Sequence, residues 1–295
     1  MKKILFIFVF FIFQLHGAEQ MGAISIQTAM SSADIASFGR ITPYKTQSIG
    51  NVLVNPASLG GISFTQLTLS TYQLSAQFDY RHFSFAIPYG NFVYGISYGT
   101  NVTSGFIQTA QVNNVIYDIG TFSSGFDVLH LSLGQKIDES FFFIDHFNYG
   151  FGFSLLNQVI GNSRRSPAYS LDVGLIATSF FDNSWLDRVD IGASVINAVS
   201  TGLPAWTYDS SVGQSKKQSV ERQLFAGAKF DILNYSTAIH SGLYVQGFNL
   251  RDFMLGVDLN VARGLNLRFS STYDILQSQE FVFNFGSGLL LHRVA

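Results

Sequence analysis

The sequence predicts an all-β protein, a transmembrane antiparallel β-barrel of about 14 strands with about 12 as the alternative, and with an N-terminal plug segment in the lumen. Three observations support this prediction. Short segments alternate apolar residues with polar residues or glycine along most of the chain after residue 60. The chain is 47% hydrophobic and only 12% charged, whereas a soluble domain carries about 25% charged residues. The first residues also have the pattern of a secretory signal.

We place this signal peptide at residues 1–18. Two lysines precede an unbroken apolar run over residues 4–13, and Gly17 and Ala18 supply small residues at a cleavage point. A membrane anchor or a buried core helix is the alternative, but the run is shorter than the roughly 20 residues that a membrane helix needs. We therefore expect the mature chain to leave the cytoplasm. It contains no cysteine, so the exported protein has to be stable without disulfides.

Residues 19–61 form a second region, in which no alternating strand of useful length is visible. Small residues cluster in it, and it ends in the run Asn55–Gly61. Side chains of this kind suit packing inside a lumen, so we predict a plug or hatch. A disordered periplasmic leader is the alternative, and the low charge and several apolar residues of the region argue against it.

The barrel is assigned to residues 62–295. Its turns have the expected chemistry, for example in Pro88–Asn91, where glycine permits a tight reversal. Single-chain bacterial barrels have an even number of strands, so one of thirteen candidate strands has to be wrong. Segment 111–119 is the weakest, and a strand near 22–28 could be missing, which leads us to favour fourteen strands over twelve. The candidates are 62–75, 79–88, 91–100, 111–119, 126–137, 146–158, 168–180, 187–199, 220–232, 239–248, 252–262, 265–274 and 281–291.

The two faces of these strands differ in the way that is typical of a membrane barrel. In Phe253–Val261 the odd positions are all apolar, and the even positions hold Met, Gly, Asp and Asn. Asp172, Asp190, Lys229 and Asp231 likewise fall on polar faces. A soluble secreted β-protein is the alternative, but its polar faces would be richly charged, whereas these are dominated by Gly, Ser and Asn. We therefore expect lipid outside and a polar, partly filled lumen inside.

The motif Asn55-Pro56-Ala57, followed by Ser58-Leu59 and preceded by small residues, resembles the signature of the FadL-like outer-membrane proteins. The organisation of the chain is similar to the branch of that family that includes PorV and PorQ. Ser170–Leu175 resembles its "DLG" strand, and Ile191–Asn197 resembles the strand that follows. The chain departs from the branch in two places: the Asp-rich stretch before the motif is replaced by residues 46–51, and the aromatic before the Asn is Val54.

The resemblance implies a lumen plugged by the N-terminal segment, with Asn55, Pro56 and Ala57 inside the plug. Proline fixes the backbone there, and asparagine can bond local main chain and set a turn. We interpret the motif as a turn that docks the plug, in preference to a direct contact with a substrate.

The sequence contains no convincing catalytic or metal site. Gly95–Gly99 matches G-x-S-x-G, but a nucleophile elbow needs a strand-to-helix turn, and Ser97 lies in an alternating strand. The histidines are dispersed without metal-ligand spacing. The net charge of −2 does not give the basic face that nucleic-acid binding needs. We therefore expect no enzyme activity, no cofactor, no metal and no nucleic acid.

Two functions follow from the resemblance and the predicted architecture. The favoured hypothesis is transport of a small hydrophobic molecule across the outer membrane, and the alternative is a PorV/PorQ-like, non-enzymatic scaffold for secretion or surface attachment of proteins. The expected partners are outer-membrane lipids and either a hydrophobic ligand or a secreted protein. Two polar stretches, 159–168 and 200–219, are either partner- or lipopolysaccharide-binding loops or ordinary solvated loops.

Overall fold

A computed structural model describes most of the chain after residue 40. The described residues are 41–45, 47–75, 78–112, 115–160, 163–164, 167–182, 185–201, 203–209, 214–218, 220, 222–262, 265–275 and 281–289. The predicted signal peptide, residues 19–40 and the possible strand near 22–28 lie outside these residues.

The described structure is almost entirely β-sheet. Its helical parts are two 3-10 turns, Ile49–Asn51 and Pro56–Gly61. No helix in the described part of the chain is long and apolar enough to cross a membrane. The strands are β1 (Gln66–Ser75), β2 (Phe78–Tyr89), β3 (Phe92–Val112), β4 (Val115–Ile137), β5 (His146–Ile160), β6 (Ser163–Arg164), β7 (Ala168–Phe180), β8 (Leu186–Ser200), β9 (Leu203–Asp209), β10 (Gln214–Gln218), β11 (Gln223–Ile232), β12 (Thr237–Gln246), β13 (Asn249–Ala262), β14 (Leu265–Asp274) and β15 (Phe281–Leu289).

One antiparallel sheet contains nearly all of these strands. Its hydrogen-bonded order is β1-β2-β3-β4-β5-β7-β8-β11-β12-β13-β14-β15, so the strands of this path follow one another in chain order, with β6, β9 and β10 left out. The two-residue β6 pairs with β5, and β9 and β10 form a separate two-stranded sheet. Within the described residues the pairing does not join β15 to β1, so the predicted closure of the barrel is not part of this hydrogen-bonded path.

Ten of the thirteen predicted strands correspond closely to observed ones; those at 168–180 and 265–274 have the observed bounds. The strand predicted at 91–100 continues to Val112, and the one predicted at 126–137 begins at Val115. The separate strand predicted at 111–119 is wrong, because these residues are the tip of the β3–β4 hairpin. Alternation continues through a hairpin tip, so it does not show where a strand leaves the main sheet.

Removing segment 111–119 leaves twelve strands along the described path, and not the fourteen that we favoured. The additional pairs lie in β6, β9 and β10. Part of the polar stretch 200–219 is thus a hairpin and not an irregular loop.

The sheet has one buried and one exposed face, as the alternation predicted. Burial alternates residue by residue in β7 and β12. On β13, Met254 and Gly256 are buried, and Leu255 and Val261 are exposed. Aromatic residues such as Phe151 and Phe283, with 52% and 79% of their surface exposed, project from the outer face.

Residues 41–62, here named the inner segment, lie against the buried face. Twelve consecutive residues, Ile49 to Gly60, are buried. Two apolar clusters join the inner segment to the strands. One contains Ile49, Val52, Leu53 and Leu59 with residues of β2, β3, β4, β5 and β7. The other contains Ile41, Tyr44 and Val54 with Ile196, Phe225, Tyr244 and Met254.

The sheet curves around the inner segment. Ile41 lies against Gly242 of β12, and the Gln47 carbonyl accepts a hydrogen bond of 3.0 Å from the side chain of Gln66 in β1. Six residues of extended chain span at most about 21 Å. In a flat sheet β12 and β1 would be eight strand spacings, or about 38 Å, apart. The two strands therefore approach each other across the interior.

Candidate functional site

The main candidate site is the surface between the inner segment and the sheet, and its most regular feature is a row of glycines. Gly134, Gly150 and Gly174 are register partners on β4, β5 and β7. Gly192, Gly227 and Gly242 are register partners on β8, β11 and β12. We name these six residues the glycine track.

The glycine track brings the main chain of the sheet close to the inner segment. A Cβ atom at Gly150 would overlap the Pro56 carbonyl, and one at Gly192 would overlap the Pro43 carbonyl. A Cβ at Gly134 would lie 2.6 Å from the Cβ of Leu59. Because van der Waals contact between carbon atoms needs about 3.5–4.0 Å, a larger residue at these positions would force the seated segment or the strand to shift.

Asn55 connects the inner segment to itself and to two strands. Its Oδ1 accepts a bond of 2.9 Å from the Ala57 N–H and so caps the second 3-10 turn. Its Nδ2 lies 2.5 Å from the Pro43 carbonyl, 3.2 Å from that of Leu175 in β7 and 3.4 Å from that of Ala193 in β8. The side chain is fully buried. The Asn55 amide thus caps the 3-10 turn, bonds another residue of the inner segment and bonds the main chain of β7 and β8.

Pro56 and Ala57 complete this motif. Pro56 is the first residue of the turn, where its fixed φ suits helical geometry and its missing N–H costs nothing. Ala57 is fully buried, and its nitrogen faces Gly150. The three residues predicted as a docking turn therefore lie together at the wall of β5 and β7.

Further hydrogen bonds hold the inner segment in a compact form. Asn51 receives a bond of 3.0 Å from the Thr42 hydroxyl and donates one of 2.9 Å to the Thr42 carbonyl. Ser194 on β8 donates a bond of 2.5 Å to the Val54 carbonyl. Buried polar groups need such partners, because an unsatisfied one costs about 1–3 kcal/mol.

Tyr44 anchors the other end of the inner segment. Its ring packs on Gly227, where a Cβ would lie 3.0 Å from the ring, and its hydroxyl lies 3.2 Å from His240 Nδ1. Burial raises the pKa of the Tyr44 hydroxyl, so this group remains a neutral hydrogen-bonding partner.

A row of polar side chains crosses the inner face from β2 to β7. His82 Nε2 lies 2.7 Å from Ser84 Oγ, which donates a bond of 2.8 Å to Ser97. Ser97 is the register partner of His130 on β4. These residues are all buried, and we name the row, with Ser154 and Asp172, the polar belt.

The far end of the polar belt contains serine, histidine and aspartate. His130 Nδ1 lies 2.8 Å from Ser154 Oγ, and Ser154 lies 3.2 Å from Asp172 Oδ2. In a catalytic triad the serine and the aspartate bond opposite nitrogens of the histidine. Here both face Nδ1, since His130 Nδ1 is 3.4 Å from Asp172, and all three side chains are buried. The geometry gives no support for a nucleophile here or at Ser97.

Ion pairs occupy the inner face nearer the short turns. Arg188 bonds Asp190 at 2.8 Å, and Lys229 bonds Asp231 at 2.8 Å. Lys229 is also the register partner of Asp190, so the two ion pairs lie side by side on β8 and β11, and we name them together the inner network. Arg268 and Asp258 form another pair at 3.3 Å. Asp190, Lys229 and Asp231, which the sequence assigned to polar faces, are thus in ion pairs, whereas Asp172 is held by Ser154 and the Asn197 N–H.

Two features of this site were missed at the level of sequence. The glycines were recognised as part of a polar face, but their contact with one segment was not predicted, because register between strands is needed to align them. The histidines look dispersed in the sequence, yet the sheet places His82 and His130 in one belt. A signal was available for the glycines: each occupies an inward position of its strand, between two residues of the outer face.

The described residues contain no group of three or more His, Cys, Asp or Glu side chains that could hold a metal ion. Comparison with known proteins adds no assignment to this geometry. No protein-family profile matches the chain, and no curated protein matches it significantly.

Proposed function

We propose that the chain is an outer-membrane β-barrel of FadL-like type whose lumen is plugged by the inner segment. The observation that carries the proposal is the opposite chemistry of the two faces. The outer face exposes large aromatic and aliphatic side chains on successive strands, while the inner face holds glycines, hydrogen-bonded polar groups and paired charges. An exposed apolar face of this size needs a lipid environment.

The curvature of the sheet supports closure of the barrel. Ile41 contacts β12 and Gln47 is bonded to the Gln66 side chain of β1. The chain between them spans at most about 21 Å, so β12 and β1 are separated by no more than this distance plus the length of a side chain. The remaining strands β13, β14 and β15 would fill four strand spacings, about 19 Å, between them. Pairing of β15 with β1 would also satisfy the backbone groups of both edges, which a bilayer requires.

The lengths of the connections give the barrel an orientation. The β3–β4 hairpin extends to Val112 and Val115, and the β9–β10 hairpin lies at the same end of the sheet. The connections at the other end include the tight turns at Gly90 and at residues 233–236. Bacterial barrels have long loops outside and short turns in the periplasm, so we assign the two hairpins to the cell surface.

Membrane fractionation tests this location. The full-length chain with a surface-loop tag is expressed in a Gram-negative host, and the outer membrane is separated from the inner membrane and the periplasm. We expect recovery in the outer membrane and a gel mobility that changes on boiling, as a folded barrel shows. Recovery as a soluble periplasmic protein would contradict the proposal.

For the activity, the geometry supports best a non-conducting scaffold that holds exported proteins at its surface. The observation behind this choice is the filling of the interior: the inner segment is buried from Ile49 to Gly60 and contacts the glycine track on six strands. No wide path is expected beside a segment so closely seated. In this proposal the exported proteins bind to the exposed hairpins at the ends of the barrel and not to its interior.

Two measurements test the scaffold together. In planar bilayers, purified protein should give no stable conductance, and deletion of residues 41–61 should create one. Photo-crosslinkers placed at the tip of the β3–β4 hairpin should capture an exported protein in native membranes. Steady conductance by the intact protein, or the absence of any crosslinked protein, would contradict the scaffold.

Transport of a small hydrophobic molecule is the second candidate, and one observation favours it. The apolar cluster that contains Leu53 and Leu59 also includes Val128 of β4, Leu156 of β5 and Val220, which precedes β11. A small displacement of the segment would open an apolar route. Uptake of a fluorescent fatty acid into proteoliposomes tests this: a rate above that of empty liposomes favours transport, and an equal rate excludes it.

A further inference from the structure

The outer face of β1 to β5 contains a lateral row of polar residues. Thr71 pairs in register with Arg81, Arg81 with Thr100, Thr100 with Asp127, and Asp127 with Asn157. We name these five residues the polar row. Leu69, Phe83, Tyr98 and Phe151 of this face lie on the short-turn side of the polar row, whereas Val102 lies beyond it toward the hairpin. In the proposed orientation we place the boundary of the outer leaflet near this row.

A shallow depression in the outer wall lies directly below this row. Its volume is about 310 Å³, and its lining includes Leu69, Phe83, Tyr98, Thr71 and Arg81. Leu69, Phe83 and Tyr98 are 71%, 38% and 40% exposed. The depression thus combines an apolar floor with one cation at its upper end, and its size lies within the range of about 300–1,000 Å³ that is usual for ligand sites.

Arg81 is the unusual member of this surface. It is exposed, and among the described residues its guanidinium makes no hydrogen bond or ion pair, although Arg188 and Arg268 each have a carboxylate partner. Asp127 is two strands away, about 10 Å, is buried, and has contacts of its own. A cation at the edge of an apolar wall needs an anion or water for its charge.

We propose that this depression binds one phosphate-bearing anionic lipid. The proposal rests on the membrane location proposed above. The acyl chain lies over Leu69, Phe83 and Tyr98, and the phosphate accepts hydrogen bonds from the guanidinium of Arg81, with the Thr71 hydroxyl beside it. Guanidinium matches phosphate oxygens in a bidentate manner, and the apolar floor continues the lipid-facing surface. The site would select lipids by headgroup charge.

Native mass spectrometry of the full-length protein tests the site. Protein in detergent micelles is loaded with palmitoyl-oleoyl phosphatidylglycerol or with the phosphatidylcholine of the same chains. We expect one phosphatidylglycerol to remain bound at activation energies that remove phosphatidylcholine. Arg81→Gln should weaken this retention about tenfold, because a charge-assisted bond is lost, and Arg81→Lys should restore part of it. Lys136→Gln, which removes a cation near the short turns, should change nothing.

The outcomes separate the site from the membrane location. Equal retention of the two lipids by the wild type, or undiminished phosphatidylglycerol retention by Arg81→Gln, overturns the site while the barrel proposal stands. Failure of membrane fractionation overturns the barrel proposal by itself. The boiling-dependent gel mobility of each variant shows whether it has folded, so a loss of lipid through misfolding is recognised.

Discussion

The inner and the outer face of the same strands achieve stability in opposite ways. On β5, Gly150 and Gly152 face inward, where the first contacts Pro56 and the second lies beside His130; Phe151 between them faces outward with half of its surface exposed. The inner face gains energy from close backbone contact and hydrogen bonds, so it tolerates no added atoms. Among the described residues no segment packs on the outer face, so the surrounding medium, and not the shape of a protein partner, constrains its large side chains. This difference predicts that stability depends on side-chain size at inner-face positions and on side-chain polarity at outer-face positions.

The largest effect should come from a charge on the outer face. Phe151→Arg places a cation near the middle of the apolar band, where the expected loss is about 2–4 kcal/mol of folding free energy in lipid vesicles. Asn157→Arg, on the same strand and face but in the polar row, should cost at most about 1 kcal/mol. Urea unfolding of both variants in vesicles measures the difference, and equal losses would show that β5 does not cross a bilayer.

The next effect should come from the anchor of the inner segment. Asn55→Ala removes the cap of the 3-10 turn and the donor shared by three carbonyls, with an expected loss of about 2–3 kcal/mol. Asn55→Asp keeps the acceptor for the Ala57 N–H but turns a carboxylate oxygen toward the three carbonyl oxygens in a buried site, so its loss should be larger. Unfolding midpoints and proteolysis of the inner segment give the order, and a wild-type profile for Asn55→Ala would refute the role of this side chain.

A smaller but more specific effect is expected on the glycine track. Gly150→Ala adds one methyl group against the Pro56 backbone and should cost about 1–3 kcal/mol by overpacking. The matched change is Gly256→Ala on β13, where the nearest atom to a Cβ is 3.2 Å away and the inner segment is not the neighbour. Limited proteolysis should release the inner segment only in Gly150→Ala; its release in both variants would mean that the track has no special relation to the segment.

The smallest effect concerns the charges. Lys229→Met leaves the buried Asp231 without its closest cation and should cost about 1 kcal/mol. Lys136→Met removes the partner of Asp138, whose pKa is lowered mainly by a hydrogen bond from Lys136; that carboxylate is 64% exposed, so the expected change is close to zero. Thermal unfolding at low and high salt compares the Lys229→Met and Lys136→Met variants. Identical shifts of their unfolding midpoints would mean that the ion pairs of the inner network are as exposed to water as the Lys136–Asp138 pair.

The prediction of the fold rested on the alternation of apolar and polar residues. It gave correct strands where one face of the strand is buried and the other is exposed. The bounds of β7 and β14 were predicted because each strand keeps two environments along its length. The same signal gave the wrong strand at 111–119, since a hairpin that projects beyond the main sheet also alternates. The pairing of β9 with β10 was missed because β9 contains a proline near its start and β10 is polar throughout.

The site was predictable only in part. The small residues and the Asn55-Pro56-Ala57 motif pointed to a segment that packs inside the sheet, because no strand was available for them. The contacts of Asn55 with Leu175 and Ala193 join positions more than one hundred residues apart. Such contacts depend on the register of several strands, which a single sequence does not determine.

Single-cysteine labelling tests the central claim most directly, because the natural chain has no cysteine. Phe151→Cys and Leu255→Cys lie on the outer face, and Ser123→Cys lies on the projecting part of the β3–β4 hairpin. In intact cells a charged, water-soluble maleimide should label Ser123→Cys and leave both outer-face cysteines unlabelled, while a lipid-soluble maleimide should label those two. Labelling of all three positions by the charged reagent would show that the outer face is in water, and would contradict the barrel.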